Sequence, residues 1–159
     1  NVCQLDFLYN NISRFGEKIR FLIIGKCDRH LINHRVKYTG YLKSKEEYVK
    51  TLYQLDALLV PVNIATFGPK NKILEAMACG VPVFTTPQGV SGLDFAKQNE
   101  TLFVYEEKEL VDKINELIFD ESFLKEIGQN ARETVEQFYS KSICEEKILN
   151  ILKGVLRDA

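Results

Sequence analysis

Phe67-Gly68-Pro69-Lys70-Asn71-Lys72-Ile73-Leu74-Glu75-Ala76-Met77-Ala78-Cys79-Gly80-Val81-Pro82-Val83 decides how this chain is read. Gly68 opens a polar turn carrying Lys70 and Lys72, a short helix follows over 71–79 and stops at Gly80, and an apolar strand starts at Val81. The first amides of a helix lack partners inside it, and the helix dipole adds positive potential there. N–H groups near Asn71, Lys72 and Ile73, beside two lysines, therefore suit a diphosphate. Gly68 has no side chain and lets the backbone approach such a ligand closely. Glu75, about one turn into the helix, can accept two hydrogen bonds from a ribose diol, each worth ~1.5–3 kcal/mol when a charged group takes part. The pattern suggests a nucleotide-type ligand. It is neither a Walker loop, having no Gly-Lys-Ser/Thr, nor a Gly-x-Gly-x-x-Gly fingerprint. A plainer reading stands beside each part: lysines before a helix are often only solvated, a first-turn glutamate often only complements the dipole, and Gly80 is a helix stop.

Working outward, apolar runs and helical periodicities alternate. Residues 3–14 predict a helix with Leu5, Leu8 and Ile12 on one face. The continuous run Phe21-Leu22-Ile23-Ile24, ended by Gly25, predicts a strand covered on both faces. Residues 28–33 read as a short helix or turn, and Val36 to Thr39 as a strand ended by Gly40. Ser44 and Glu47 form a capping box for a helix reaching about Gln54, with Tyr48, Val49 and Leu52 inward. Ala57 to Val60, Val81 to Thr85 and Thr101 to Tyr105 predict further strands, with an irregular stretch over 86–94. Helices are expected at about 107–118, 121–138 and 141–157, with Asp120 and Ser140 as N-caps of the last two. Their apolar positions, among them Leu124, Ile127, Ala131, Ile148, Ile151, Leu152 and Val155, recur at helical spacing and read as core or docking faces. Such alternation implies an α/β fold: a Rossmann-like parallel sheet with helices on both faces, right-handed crossovers, and C-terminal helices packed outside. Ligands of these sheets bind beyond the C-terminal ends of the strands, and the lysine-bearing loop lies at that edge.

The chain has 159 residues, enough for one domain over 1–159 with its own core. A net charge of -1 gives no electrostatic case for nucleic acid. No apolar run approaches the ~20 residues of a membrane span. Cys3, Cys27, Cys79 and Cys144 are scattered without a CxxC pair, which reads as reduced, mostly buried thiols of a cytoplasmic protein. His30 and His34 stand four residues apart near Cys27, but with no fourth ligand the segment reads as surface rather than as a zinc site. No metal site is expected. The first residue is Asn1 rather than Met, so the natural N-terminus is expected to lie further upstream.

The segment from Lys72 to Val83 resembles the hallmark segment of group 1 glycosyltransferases of GT-B fold, family 4-like, and the resemblance spans nearly the whole chain. Ile23-Ile24-Gly25 looks like the family's strand ending in glycine, and Val36 to Leu42 like its "V-x-F-x-G-Y" strand and loop. Tyr53 to Pro61 looks like its "A-D-V-x-L-x-P" strand. Leu110 to Tyr139 looks like its closing helices, with Asn130-Ala131-Arg132 near "G-x-x-A-R". Such enzymes have two Rossmann-like domains, and the chain resembles the C-terminal, donor-binding one. The family's first C-domain strand, with its basic donor contacts, is not matched, so the chain is expected to be a fragment or trimmed domain of a two-domain enzyme.

The resemblance implies transfer of a glycosyl group from a nucleoside diphosphate sugar to a glycan or lipid-linked acceptor, with retained configuration. The acceptor site would lie on an N-terminal domain, and no metal or other cofactor would hold the diphosphate. Glu75 corresponds to the second glutamate of the Glu-x7-Glu motif, the ribose contact, and the first would fall at Phe67. The loop fits better a subgroup reading "Gly-Thr-Arg-x-Lys-Ile-Leu-Glu", with Gly68, Lys70 and Lys72 in the Gly, Arg and Lys places; Gln88 to Leu93 fits the same subgroup. Expected roles follow: Glu75 and Lys70 as catalytic residues, and Gly25, Lys26, Tyr41, Leu42, Phe67, Gly68, Asn71, Lys72, Ile73 and Leu74 as the donor site. The isolated chain is expected to show no turnover. The alternatives kept open are a non-catalytic GT-B-like binding or scaffold module, favoured by Phe67, and another GT-B-like enzyme such as an epimerase or phosphorylase. Localisation is expected to be cytoplasmic, with room for peripheral association at an inner membrane face.

Overall fold

The computed structural model describes residues 2–64 and 68–157, with the backbone alone at 2–3 and 154–157. A helix α1 (Val2–Asn11), continued by a 3-10 turn, leads to strand β1 (Phe21–Ile24) and then β2 (Val36–Gly40). Helix α2 (Lys45–Leu52) leads to β3 (Leu58–Val60), α3 (Asn71–Ala78) to β4 (Val83–Thr85), and a looped stretch to β5 (Phe103–Val104). Three helices close the chain: α4 (Glu107–Leu117), α5 (Glu121–Tyr139) and α6 (Lys141–Arg157). The segment 28–33 is a turn rather than a helix.

Every strand pairing is parallel, as the βαβ pattern requires: β1 with β2, β3 with β4, and β4 with β5. The ladders form two groups, β1-β2 and β3-β4-β5, where the sequence suggested one sheet. Both groups nonetheless share the same two layers of side chains. On one face Phe21, Ile23, Leu59, Phe84 and Phe103 pack with Phe7 and Leu8 of α1 and Leu110, Val111 and Ile114 of α4. On the other Ile24, Leu58, Val60 and Val83 pack with Leu52 of α2 and Ile73, Ala76 and Met77 of α3. The alternation of Leu59 and Val60 between these layers is the period of two that a strand imposes. Within each ladder the strands follow in chain order, β1-β2 and β3-β4-β5, as successive parallel crossovers place them.

The division between the two groups corrects one expectation. All four residues of β1 are half-exposed rather than buried, because β1 has a strand neighbour on one side alone among the described residues. The cysteine expectation is also corrected: of Cys27, Cys79 and Cys144 none is buried, and Cys144 is exposed. The Ser44 hydroxyl caps α2 by accepting from Glu47 N at 3.1 Å, but the Glu47 carboxylate accepts from Lys43 N at 2.8 Å rather than closing the box on Ser44. Asp120 caps α5 as expected, accepting from Phe123 N at 3.0 Å. Ser140 stands just before α6, its carbonyl accepting from Cys144 N at 3.0 Å.

Helix α5 lies against α3 and buries Leu124, Ile127, Gly128 and Ala131. By contrast Ile148, Leu149, Ile151 and Leu152 of α6 are exposed, Ile151 at 66%, so this face is not core; the Val155 side chain lies outside the described residues. Arg35 is the one buried charged residue described, and its guanidinium donates to the carbonyls of Phe15 and Gly16 at 3.0 Å and to that of Ile12. It thereby satisfies the carbonyls left at the end of the first helical segment. No described helix is long and apolar enough to cross a membrane.

Candidate functional site: the strand ends around helix α3

The lysine-bearing turn is held by the strand beside it. Thr85 Oγ1, at the end of β4, donates to Val60 O at 2.7 Å, and Thr86 Oγ1 donates to Val62 O and accepts from Val62 N at 3.1 Å. Both threonines are buried, so these bonds fix where the chain leaves β3. Behind the turn, Gly92 (φ +80°) is packed so closely that a Cβ there would sit 2.8 Å from the Gly68 carbonyl carbon and from Pro69 N. The loop after β4 thus presses on the backbone of Gly68-Pro69 and sets its place. Gly68 itself has φ +82° and open space where a side chain would stand.

Helix α3 starts directly after this turn, with Lys70 as its N-cap residue, and among the described residues no N-cap side-chain hydrogen bond closes its first turn. The first amides to close onto the helix are those of Ile73 (2.8 Å) and Leu74 (3.3 Å), both to Lys70 O. This corrects one detail: the Ile73 amide is already bonded, so the N–H groups ahead of it, at Asn71 and Lys72, are the ones positioned for an anion. Ile73 is wholly buried and Leu74 packs beside the same core, so these two hold the helix in place, while Asn71 is exposed. The far end closes on Gly80, whose amide donates to Met77 O (2.9 Å) while Val81 N donates to Ala76 O (2.9 Å), a Schellman pair.

The two lysines differ. Lys70 Nζ donates to Gly68 O at 2.7 Å, across its own turn. Lys72 is half-buried and donates to Gln4 Oε1 of α1 at 3.0 Å; burial pushes its ammonium below the usual lysine range, since desolvation disfavours the charged form. Glu75 is exposed one turn further on, its Oε2 accepting from the Tyr48 hydroxyl of α2 at 3.0 Å. Sequence reasoning missed Gln4 and the hydroxyl of Tyr48. Gln4 carries no local signal at all, and Tyr48 was legible as an inward-facing helical ring but not as a partner of Glu75.

The remaining candidates sit on the neighbouring strand ends. Gly25 (φ +100°) follows β1, bridges to Gly40 after the two strands diverge, and donates to Thr39 Oγ1 at 3.1 Å. This brings Gly25, Lys26, Tyr41 and Leu42 to one rim: Lys26 is exposed, Leu42 half-buried, and Tyr41 is 79% exposed. The Tyr41-Leu42 segment runs straight into α2, and α2 reaches α3 through the Tyr48–Glu75 bond, which connects this rim to the lysine turn. Phe67 lies outside the described residues. Cys27 Sγ donates to Arg29 O at 2.8 Å, and the His30 ring lies tilted by 59° against Tyr38 with centroids 4.6 Å apart, ordinary packing for this segment. Among the described residues no three His, Cys, Asp or Glu side chains are placed to hold a metal ion.

Similarity to known proteins agrees with this geometry. The sequence model described as glycosyl transferases group 1 matches residues 1–120. The chain is 31% identical to the capsular polysaccharide biosynthesis glycosyltransferase CapM of Staphylococcus aureus, over 91% of the chain and 40% of that protein. It thus spans less than half the length of that curated relative. Its fold matches sucrose-phosphate synthase of Thermosynechococcus elongatus with a TM-score of 0.79 at 20% identity, over 98% of the chain and 43% of that one. It also matches Anabaena Alr3699/HepE, solved in complex with UDP-glucose, with a TM-score of 0.74 at 19% identity, over 94% of the chain and 44% of that one. Parallel strands flanked by helices, a lysine-bearing turn at their C-terminal ends and the match over three quarters of the sequence agree: the chain belongs to the group 1 glycosyl transferases, of GT-B fold.

Proposed function

We propose that residues 1–159 form the donor-binding domain of a two-domain glycosyltransferase and hold a nucleoside diphosphate sugar at the start of α3. The observation carrying this is the arrangement at one helix end: two lysines and the leading amides of α3 next to the turn, with the Glu75 carboxylate one turn behind. Positive potential at the helix start and the lysine ammonium groups would hold the diphosphate, and Glu75 would accept from the ribose hydroxyls. Lys70 would exchange the Gly68 carbonyl for a phosphate oxygen, a charged and therefore stronger acceptor. Lys26, Tyr41 and Leu42 would line the base side from the β1-β2 rim, and the Gly68 backbone would approach the diphosphate.

In the reaction the bond between the sugar's anomeric carbon and the diphosphate oxygen breaks, and the acceptor oxygen takes that carbon with configuration retained. Negative charge grows on the departing diphosphate, and the acceptor hydroxyl's proton passes to that diphosphate or to water. Lys70, Lys72 and the α3 amides would stabilise that charge without a metal ion. The acceptor, a glycan or lipid-linked chain, would be supplied by the partner domain, so the isolated chain is expected to bind donor without turnover. The relative's role in capsular polysaccharide synthesis and the UDP-glucose bound by the structural neighbour support a UDP-sugar donor and a surface-glycan acceptor. The location we infer is cytoplasmic, with peripheral association at the inner membrane face left to the partner domain. A second reading, a nucleotide-sugar-binding module without chemistry, draws on Phe67 at the place of the motif's first glutamate.

Titration calorimetry with UDP, GDP, ADP and CMP, repeated on Glu75→Ala, tests the donor site. The expected result is one preferred nucleotide whose affinity falls at least tenfold in the variant, for two lost bonds to a charged acceptor. Equal binding by parent and variant would refute the ribose role, and transfer by the full-length enzyme from a radiolabelled sugar nucleotide separates enzyme from binding module.

A further inference from the structure

We propose that Tyr48 is the positioning residue of the ribose subsite: its hydroxyl holds the Glu75 carboxylate in the orientation that receives the sugar diol. The inference rests on the donor-site reading above and adds a residue on a different helix. Glu75 is exposed and has three rotatable bonds, so by itself it would spread over many rotamers. Tyr48 is the opposite kind of side chain, a two-torsion aromatic whose ring packs among the residues of the second core layer beside Leu52 and Ile73. Its hydroxyl emerges from that layer and donates to Glu75 Oε2 at 3.0 Å.

The chemistry sets the direction of this bond. An ionised carboxylate only accepts, so the phenol is the donor. Burial and the charge of Glu75 both push the Tyr48 phenol well above its ordinary range, so it keeps its proton at any pH where the protein works. A carboxylate offers about four acceptor directions. Tyr48 occupies one on Oε2, which leaves enough for both hydroxyls of a cis-diol. The ordering of Glu75 is therefore accomplished before ligand arrives, and the entropy of fixing it is not charged to binding. The same bond joins α3 to α2, the helix that follows the Tyr41-Leu42 rim, so the ribose carboxylate and the proposed base-side loop are held in register.

Tyr48→Phe removes the hydroxyl and keeps the ring in the core. The affinities of UDP and 2′,3′-dideoxy-UDP are measured by calorimetry for the parent, Tyr48→Phe, Glu75→Ala and the double variant, each first checked for a normal melting curve. Positioning through Glu75 predicts a roughly 3- to 10-fold loss for UDP in Tyr48→Phe and no change for the dideoxy nucleotide. It also predicts that Tyr48→Phe has no further effect once Glu75 is alanine. Equal loss for both nucleotides, or no loss for either, overturns the positioning role while leaving the donor site standing. Absence of nucleotide binding by the parent overturns the functional reading, and the positioning role with it. Should Tyr48→Phe melt early, Tyr48→Met gives the same comparison.

Discussion

Gly128→Ala tests whether packing or helix propensity governs the contact between α5 and α3. Gly128 is buried in the interior of α5, where propensity alone favours alanine by about 1 kcal/mol. The structure demands the reverse sign. An added Cβ would fall inside the van der Waals shell of the Gly80 carbonyl oxygen, 3.1 Å from its carbon and 3.4 Å from Pro82 Cδ. Gly80 cannot yield easily, since it is the left-handed glycine (φ +71°) that closes α3. Helix α5 would have to retreat, lifting Leu124, Ile127 and Ala131 from the core together. Overpacking of this kind costs about 1–3 kcal/mol, and the upper end applies because the obstacle is backbone. Subtracting the propensity gain leaves a net loss of about 2 kcal/mol. For a domain of this size that lowers Tm by roughly 4–8 °C. Thermal unfolding followed by circular dichroism reads it, with Gly16→Ala as control because a Cβ there meets nothing nearer than Asn115 Oδ1 at 3.7 Å. A Tm for Gly128→Ala equal to or above that of the parent would refute the argument.

Three further substitutions probe the site and its support. Gly92→Ala meets both a positive φ and the backbone of Gly68-Pro69, so we expect a loss of about 2–4 kcal/mol by chemical denaturation and weaker nucleotide binding through a displaced lysine turn; unaltered affinity would show that the turn is set elsewhere. Lys72→Met keeps the stem and removes a half-buried charge, so Tm should hold or rise while UDP affinity falls. In the parent, the folded-state pKa of Lys72 lies below the unfolded value of 10.5, so its burial penalty is fully present below the folded pKa and fades as pH rises toward 10.5. The stability difference between Lys72→Met and parent should therefore shrink across that alkaline window, and a difference that grows there would contradict the burial argument. Arg35→Met strips donors from the carbonyls of Ile12, Phe15 and Gly16 and should cost about 3 kcal/mol in urea unfolding; a change under about 0.5 kcal/mol, the scale of an ordinary surface substitution, would mean that water replaces it.

The sequence by itself determined the order and kind of the elements, because those depend on short-range patterns. Phe21 to Ile24 and Ala57 to Val60 are short apolar runs stopped by Gly25 and Pro61, which reads as strand, while Asp120 and Gly80 mark helix ends and the spacing of Leu124, Ile127 and Ala131 marks a helix face. The lysine turn and Glu75 were legible for the same reason, since they lie within eight residues of chain. What tertiary structure alone decided is everything that pairs residues far apart. It split the strands into two ladders, left β1 half-exposed, and turned the apolar face of α6 outward. It brought Gln4 to Lys72 and Tyr48 to Glu75, across 68 and 27 residues. It also set Gly92 against Gly68 and Gly128 against Gly80, contacts in which the informative atom is a missing one. Periodicity reports which way a side chain faces but not what it faces, and hydrogen bonds between helices depend on how those helices are docked by the shared core.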